Sequence, residues 1–231
     1  MSHVDYIYQN EDYIDNPKDQ FKRILKWLKK NTVDTKQYEL LDLGCARGEL
    51  ISFLSKNVSN VNFTGIDHSN SLIDAARKSV PACFETADIE RYGSQKKYDF
   101  VVISGVIEYF DDPNIVMERI SSYLYPQGKC LILNIFNEYH IDVRVRYRNN
   151  KYFDDFKNGW SLHSIQTFYD ILKNNNFIIE NQEKFFPDCF LLPKEDPARS
   201  WMVRMPDNTL KYRNGLSQIY DSYILEVSKT I

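Results

Sequence analysis

Between Tyr38 and Asn137 the chain returns again and again to one pattern, a short apolar run followed by a segment with apolar positions at helical spacing. "YELLDLG" reads as a buried strand, and "GELISFLSKN" as a helix, because residues 50, 51, 53 and 54 are apolar. "VNFTGIDHS" with "NSLIDAARKS" repeats the pair, "ACFETADIE" adds a shorter third strand, and "YDFVVISG" with "IVMERISSYL" supplies the fourth strand and its helix. "GKCLILNIFN" is the fifth strand. Strands alternating with helices predict a mostly parallel sheet with helices on both faces, joined by right-handed crossovers: a doubly wound α/β domain. Ahead of it, "PKDQFKRILKWLKKN" puts Phe21, Ile24, Leu25 and Leu28 on one helical face.

After Phe136 the rhythm breaks. The stretch from Asn137 to Trp160 has no helical period, and order returns with the helix "LHSIQTFYDILKNNN" and the strand "FIIENQ". A second irregular stretch, Lys184 to Gln218, precedes a last strand, "SYILEVSK". A length of 231 residues suits a single domain. The expected organisation is one domain over 1–231, with an N-terminal arm and helix at 1–36. Long loops in a compact domain commonly serve as lids or binding segments, so 137–160 and 184–218 are expected to cap a substrate pocket.

Charge limits the partners. With 29 basic against 32 acidic side chains the net charge is -3, so no global attraction draws the chain to nucleic acid, and none is expected as a partner. No run approaches the roughly 20 apolar residues of a membrane span. The first residues are acidic rather than basic and then apolar, which leads us to expect a cytoplasmic protein without a membrane partner. Cys45, Cys83, Cys130 and Cys189 are widely spaced and read as reduced, structural thiols. No cluster has metal-ligand spacing, and no metal is expected.

The turn after the first strand is the usual anchor for ligands in such folds. A dinucleotide fingerprint would need glycines at 44, 46 and 49, and the chain has Gly44, Ala46 and Glu49. Asp42 and Glu49 would also repel a pyrophosphate. A carboxylate ahead of a tight glycine turn instead suits a ligand that presents a cation, and S-adenosylmethionine carries both an ammonium and a sulfonium.

Here "LDLGCARG" resembles the first motif of the class I S-adenosylmethionine-dependent methyltransferases, approximately LDLGCGxG, with Ala46 in place of the middle glycine. The likeness covers about Leu40 to Phe136 well. It implies a Rossmann-like seven-stranded sheet whose seventh strand runs antiparallel between the fifth and sixth, a place "SYILEVSK" can fill. It also implies a cofactor site of Asp42, Gly44, Cys45, Ala46 and Gly48, with Asp67 accepting from the ribose hydroxyls and His68 beside the adenosine. Asp88 is to accept from the adenine amino group, Ile89 to lie against the ring, and Ser104 and Gly105 to complete the pocket. Glu108 and Tyr109, matching the family's "LEH", are candidate substrate contacts.

Three arginines at alternate positions, Arg144, Arg146 and Arg148, would share one side of an extended segment and could grip an anionic small molecule, with a solvated edge as the rival reading. Methyl transfer mainly requires alignment, and a base when the acceptor is a hydroxyl; His140 and His163 are the candidates. Tyr6, Tyr8 and Tyr13 either close over the cofactor or dock the arm onto the sheet. The expected activity is O-methylation of a small polar acceptor. The longer string "LDLGCARGELISFL" looks like the GCGRGEFL variant of surface-polysaccharide pathways, which points to a sugar, glycan or phosphorylated precursor. A tRNA, rRNA or protein methyltransferase, or a non-catalytic cofactor-binding relative, are the alternatives left open.

Overall fold

The computed structural model describes residues 16–148, 150, 155–193, 199–216 and 218–230. The arm with Tyr6, Tyr8 and Tyr13 lies outside these residues.

Helix α1 (Asp19–Asn31) leads into strand β1 (Tyr38–Leu43), helix α2 (Glu49–Ser55) and strand β2 (Val61–Asp67). Helix α3 (Asn70–Ser79), capped by the Ser69 hydroxyl, is followed by the short strand β3 (Cys83–Thr86) and by β4 (Tyr98–Ser104). A single 3-10 turn (Ile107–Tyr109) separates β4 from helix α4 (Pro113–Tyr123), which carries Asp112 as its N-cap and Pro113 in its first turn. Strand β5 (Leu124–Asn137) is the longest, and the short strands β6 (Arg146–Tyr147), β7 (Lys157–Asn158) and β8 (His163–Ser164) precede helix α5 (Ile165–Asn174). Strands β9 (Phe177–Lys184), β10 (Trp201–Arg204), β11 (Leu210–Arg213) and β12 (Ile219–Lys229) complete the order.

Strands β3, β2, β1, β4 and β5 lie side by side and parallel. Strand β12 runs antiparallel to β5 on one edge and to β9 on the other, where the likeness placed a seventh strand. Among the described residues the sheet nevertheless has ten strands rather than seven. β8 adds to the end of β5, and the β10–β11 hairpin pairs with the start of β12 at Tyr212↔Tyr220 and Arg213↔Ile219. The 184–218 stretch is thus not irregular throughout. Its turn at Met205 to Thr209 is closed by Met205 N–H donating to the Thr209 carbonyl, and it holds Asn208 at φ 67°. Likewise 137–160 contains β6 and β7, which pair with each other as a separate two-stranded ribbon.

Side chains of the central strands alternate between two cores, as the period of two requires. Leu41, Val101, Ile103 and Ile132 face α4 and α5, packing on Val116, Met117, Ile120, Phe168 and Leu172. Leu40, Phe100, Val102 and Leu131 face the other way, onto Ile24, Trp27 and Leu28 of α1 and Ile51 and Leu54 of α2. Each such apolar side chain contributes about 1.5–3 kcal/mol of burial. A third, smaller cluster of Leu162, Met202, Tyr212 and Tyr220 lies under the β10–β11 hairpin and holds it over the carboxyl ends of the parallel strands. Among the described residues no helix is long and apolar enough to cross a membrane.

Candidate functional site

The loop from Gly44 to Gly48 has three residues in the left-handed region: Gly44 at φ 78°, Ala46 at 47° and Gly48 at 75°. The N–H groups of Gly44 and Cys45 both donate to the Ile66 carbonyl at 2.9 Å, which pins the turn to the end of β2. The fit leaves no room: a Cβ on Gly44 would stand 2.4 Å from Val106 Cγ2, and one on Gly48 2.8 Å from Phe84 Cζ. Gly65, inside β2, makes the same close approach from below. A Cβ there would meet Cys45 Sγ and the Phe84 ring at 2.8 Å. Sequence reasoning passed over Gly65, although a lone glycine in a strand is the usual sign of another group pressed close.

Asp67 closes the arrangement. Its Oδ2 accepts from Ala46 N–H at 3.0 Å and its Oδ1 from Ser69 N–H at 2.9 Å, with His68 Nδ1 3.3 Å from Oδ1. Ala46, forced into a conformation that costs a Cβ-bearing residue about 1–2 kcal/mol, is therefore held by a part-buried hydrogen bond to a carboxylate.

At the carboxyl ends of β1 and β4 a cavity of about 830 Å³ opens. One end is lined by Asp42, Gly44, Ala46, Glu49, Ser104 and Gly105. Asp42 is 3% exposed, and burial, reinforced by the negative charges of Asp67 and Glu49, pushes its carboxyl up to about 8. Burial likewise raises Glu49, with Lys18 and Arg47 opposing, and its Oε1 is buried without a hydrogen-bond partner among the described residues. Glu108 also lines the cavity; burial raises its carboxyl to about 7, and its Oε2 has no partner among the described residues either. Acidic side chains crowded until their charges resist one another form a place that lowers its energy by admitting a cation.

The other end is aromatic. Tyr109, Trp160, Phe185, Phe190, Tyr212 and Tyr220 line it, joined by Arg199. Tyr212 donates from its hydroxyl to the Phe185 carbonyl at 3.1 Å, and the Ser200 and Tyr220 hydroxyls are hydrogen-bonded to each other. Burial pushes the Tyr220 hydroxyl up to about 12, with Glu108 adding to the push. The start of α1 closes the side, through Pro17, Lys18 and Phe21. Phe185, Arg199, Tyr212 and Tyr220 were invisible as site residues in the sequence, since they sit in segments without a periodic pattern.

The structure brings together Asp42, Gly44, Cys45, Ala46, Ser104, Gly105, Glu108 and Tyr109 on this cavity. Gly48 supports the loop from behind. Asp67 and His68 stand beside the loop, outside the cavity lining. Asp88 is exposed, its Oδ1 accepting from Glu90 N–H at 3.0 Å, while Ile89 is packed into the core on the α4 side.

The histidines and arginines are placed elsewhere than expected. His140 is exposed and outside the cavity lining, because β5 ends before it and the chain turns away. His163 is buried as β8 pairs with β5, and its Nε2 lies 3.0 Å from the Phe110 carbonyl; burial lowers its pKa, favouring the neutral ring. Arg146 is committed to Asp111, with Nη1 3.1 Å from Oδ1, and Arg148 lies over the Phe156 ring at 5.3 Å. Arg144, Arg146 and Arg148 are all exposed and none lines the cavity.

A family model described as a methyltransferase domain matches residues 6–182. Trans-aconitate 2-methyltransferase from Escherichia coli (strain 55989 / EAEC) is 29% identical over 135 residues, 57% of this chain and 53% of that protein. The match thus spans about half the length of that relative. Malonyl-(acyl-carrier protein) O-methyltransferase from Priestia megaterium (strain DSM 319 / IMG 1521) is 22% identical, over 94% of this chain and 92% of that one. Among solved structures, 1,6-didemethyltoxoflavin-N1-methyltransferase from Burkholderia thailandensis, holding 1,6-didemethyltoxoflavin and S-adenosylhomocysteine, is similar with a TM-score of 0.62 at 13% identity. It covers 99% of this chain and 87% of its own, and the likeness is one of fold.

Proposed function

The chain belongs to the methyltransferase-domain family, with the class I S-adenosylmethionine-dependent fold, and from that membership we propose that it moves a methyl group onto an oxygen of a small anionic acceptor. The observation that carries the reading is a cavity with two chemically different ends, a glycine-cradled acidic end and an aromatic end with Arg199.

The acidic end fits the cofactor. Bound there, S-adenosylmethionine supplies a methyl group on a positively charged sulfur. Gly44, Ala46 and Gly105 let the backbone come close, and Asp42, Glu49 and Ser104 offer acceptors to an ammonium. The buried, unpartnered Oε1 of Glu49 is the kind of atom such a group would satisfy. Asp67 and Asp88 are proposed for the ribose and adenine, beyond the cavity's present lining.

The aromatic end is where the acceptor belongs. Trp160 comes from the 137–160 stretch and Phe185, Arg199 and Tyr212 from 184–218, which supports these stretches as the substrate cap. Arg199, rather than Arg144, Arg146 or Arg148, is the proposed contact for an acceptor's negative charge. A volume of about 830 Å³ fits a small molecule, and relatives named for trans-aconitate and malonyl-carrier acceptors support that class over tRNA, rRNA or protein. A sugar acceptor rests on the wording of the glycine loop alone, and aromatic walls with one arginine suit a carboxylate-bearing planar molecule at least as well.

The test is calorimetry with S-adenosylmethionine, followed by methyl-transfer assays across small carboxylic, phenolic and sugar-phosphate acceptors read by mass shift. Binding without transfer to any anionic small molecule, or no binding, removes the proposal.

A further inference from the structure

Glu108 is a buried carboxyl with nothing among the described residues to explain it. It is 5% exposed, its Oε2 makes no hydrogen bond among the described residues, and it lines the same cavity as the glycine loop and the aromatic rings. Its backbone is fixed on both sides. The Glu108 carbonyl accepts from Ser161 N–H at 2.9 Å, and the preceding turn begins at Gly105, whose φ of 67° and missing Cβ leave space toward Glu108 Oε1. A dry carboxyl in the lining of a pocket that also holds the glycine loop and a set of aromatic rings is within the space that methyl donor and acceptor would share.

The walls describe the acceptor. Tyr212 and Tyr220 lie nearly parallel, with centroids 6.1 Å apart and planes 7° from each other, and Phe186 extends the stack from Tyr212 at 5.9 Å. Trp160 and Tyr109, 6.1 Å apart, add two more rings. Ring faces held in place this way favour a flat, conjugated ligand over a puckered one.

We propose that Glu108 is the general base, taking the proton from a hydroxyl carried by a planar aromatic or enolic acid. The inference rests on the methyl-transfer reading above. The Glu108 carboxylate accepts the hydroxyl proton while the acceptor oxygen forms its bond to the methyl carbon. The carbon–sulfur bond breaks with its electron pair on sulfur, which leaves as a neutral thioether, and the proton then passes from Glu108 to solvent. Burial holds the carboxyl near neutrality, where a base is best matched to its work. The titratable groups facing the same cavity are Lys18 and Asp19 at the start of α1, Asp42 on β1, Cys45 in the glycine loop, Glu49 on α2, Tyr109, Cys189, Arg199, and Tyr212 and Tyr220 on β11 and β12. Asp42 and Glu49 belong to the cofactor end, and Tyr220 is pushed too high to serve near neutral pH.

The experiment compares wild type with Glu108→Gln and Glu108→Asp, across hydroxybenzoates and catechol carboxylates of increasing hydroxyl acidity. Glu108→Gln is expected to keep the wild-type affinity for S-adenosylmethionine by calorimetry and to lose about 10²–10⁴-fold in kcat on weakly acidic phenols. The deficit should shrink toward none on nitro-substituted phenols that are already ionised, and the neutral-range limb of the kcat/KM pH profile should vanish. Glu108→Asp should retain that limb at lower kcat. Infrared titration of the unloaded protein should show protonated carboxyl absorption near pH 6 that Glu108→Gln diminishes, the Asp42 contribution remaining. A Glu108→Gln variant as active as wild type, or one with an equal deficit on all phenols, overturns the base role. Weakened cofactor binding in that variant would make Glu108 a cofactor contact and also overturns it. A wild type that binds S-adenosylmethionine and methylates other small molecules but no planar hydroxy acid overturns this inference alone, whereas a wild type that does not bind the cofactor defeats the broader reading.

Discussion

At the scale of single residues, position 46 carries two demands at once. Its φ of 47° asks for glycine, and its N–H must reach Asp67 Oδ2. Ala46→Gly keeps the N–H and removes the Cβ penalty, at the cost of a more flexible unfolded chain. The expected net gain is up to about 1 kcal/mol in urea unfolding, and a loss would mean the alanine is unstrained. Asp67→Ala acts in the opposite direction. It strands the part-buried N–H of Ala46 and the buried N–H of Ser69, so stability should fall by about 1–3 kcal/mol and cofactor affinity should fall with it. Reduced stability with unchanged affinity would leave Asp67 as a loop anchor and remove its ribose role. The loop's charge was legible in the sequence because Asp42 and Glu49 adjoin the glycines in the chain. The service Asp67 gives the loop was not, because it crosses 21 positions to Ala46 and depends on where β2 ends.

At the scale of elements, helices and long parallel strands were readable because their apolar positions repeat. Helix α3 falls on the stretch its sequence pattern marked, Asn70–Ser79. Strands β10 and β11 are four residues each, too short to show a period, and their one local signal is the Pro206-Asp207-Asn208 turn between them. What orders them is tertiary: Met202, Tyr212 and Tyr220 share a small core with Leu162, and β11 borrows the first residues of β12 as its partner. His140 is a base candidate in the sequence because it follows the fifth strand, whereas His163 opens a helix where packing is the rival role; the exposure of His140 and the pairing of β8 with β5, which buries His163, are decided by tertiary contacts. The hairpin's isolation from the glycine loop gives a separable prediction. Tyr212→Ala removes a stacked ring and the bond to the Phe185 carbonyl, so acceptor KM should rise about tenfold or more, the equivalent of about 1.4 kcal/mol, while cofactor affinity stays within a factor of two or so. Equal losses of both would show that the cap and the cofactor end fold as one unit.

At the scale of the whole molecule, the site is built against stability. Asp42 and Glu108 are held up to about 8 and about 7, against about 4 in an unfolded chain. A carboxyl raised on folding contributes its full stability below the unfolded value and loses it as pH rises through the folded one. The unliganded protein should therefore lose stability steadily between about pH 4 and pH 8 from these two groups. Carboxyls lowered by basic partners, Asp19 beside Lys22 and Asp111 beside Arg146, have the opposite sign and erode stability only as the solution turns more acidic. Thermal unfolding at about pH 6 and pH 8.5 should show a drop of a few degrees, and Asp42→Asn should both flatten it and raise the midpoint at the higher pH. The same proton must leave when a cation arrives. Titrating S-adenosylmethionine into the protein at pH 7, in phosphate and then in Tris, should give enthalpies that differ by the buffers' ionisation heats, with net proton release. Asp42→Asn should abolish most of that difference along with much of the affinity. Identical enthalpies in both buffers for the wild type would mean that Asp42 is already ionised in the empty site, and that the crowding of carboxylates around the glycine loop is relieved by something other than the incoming charge.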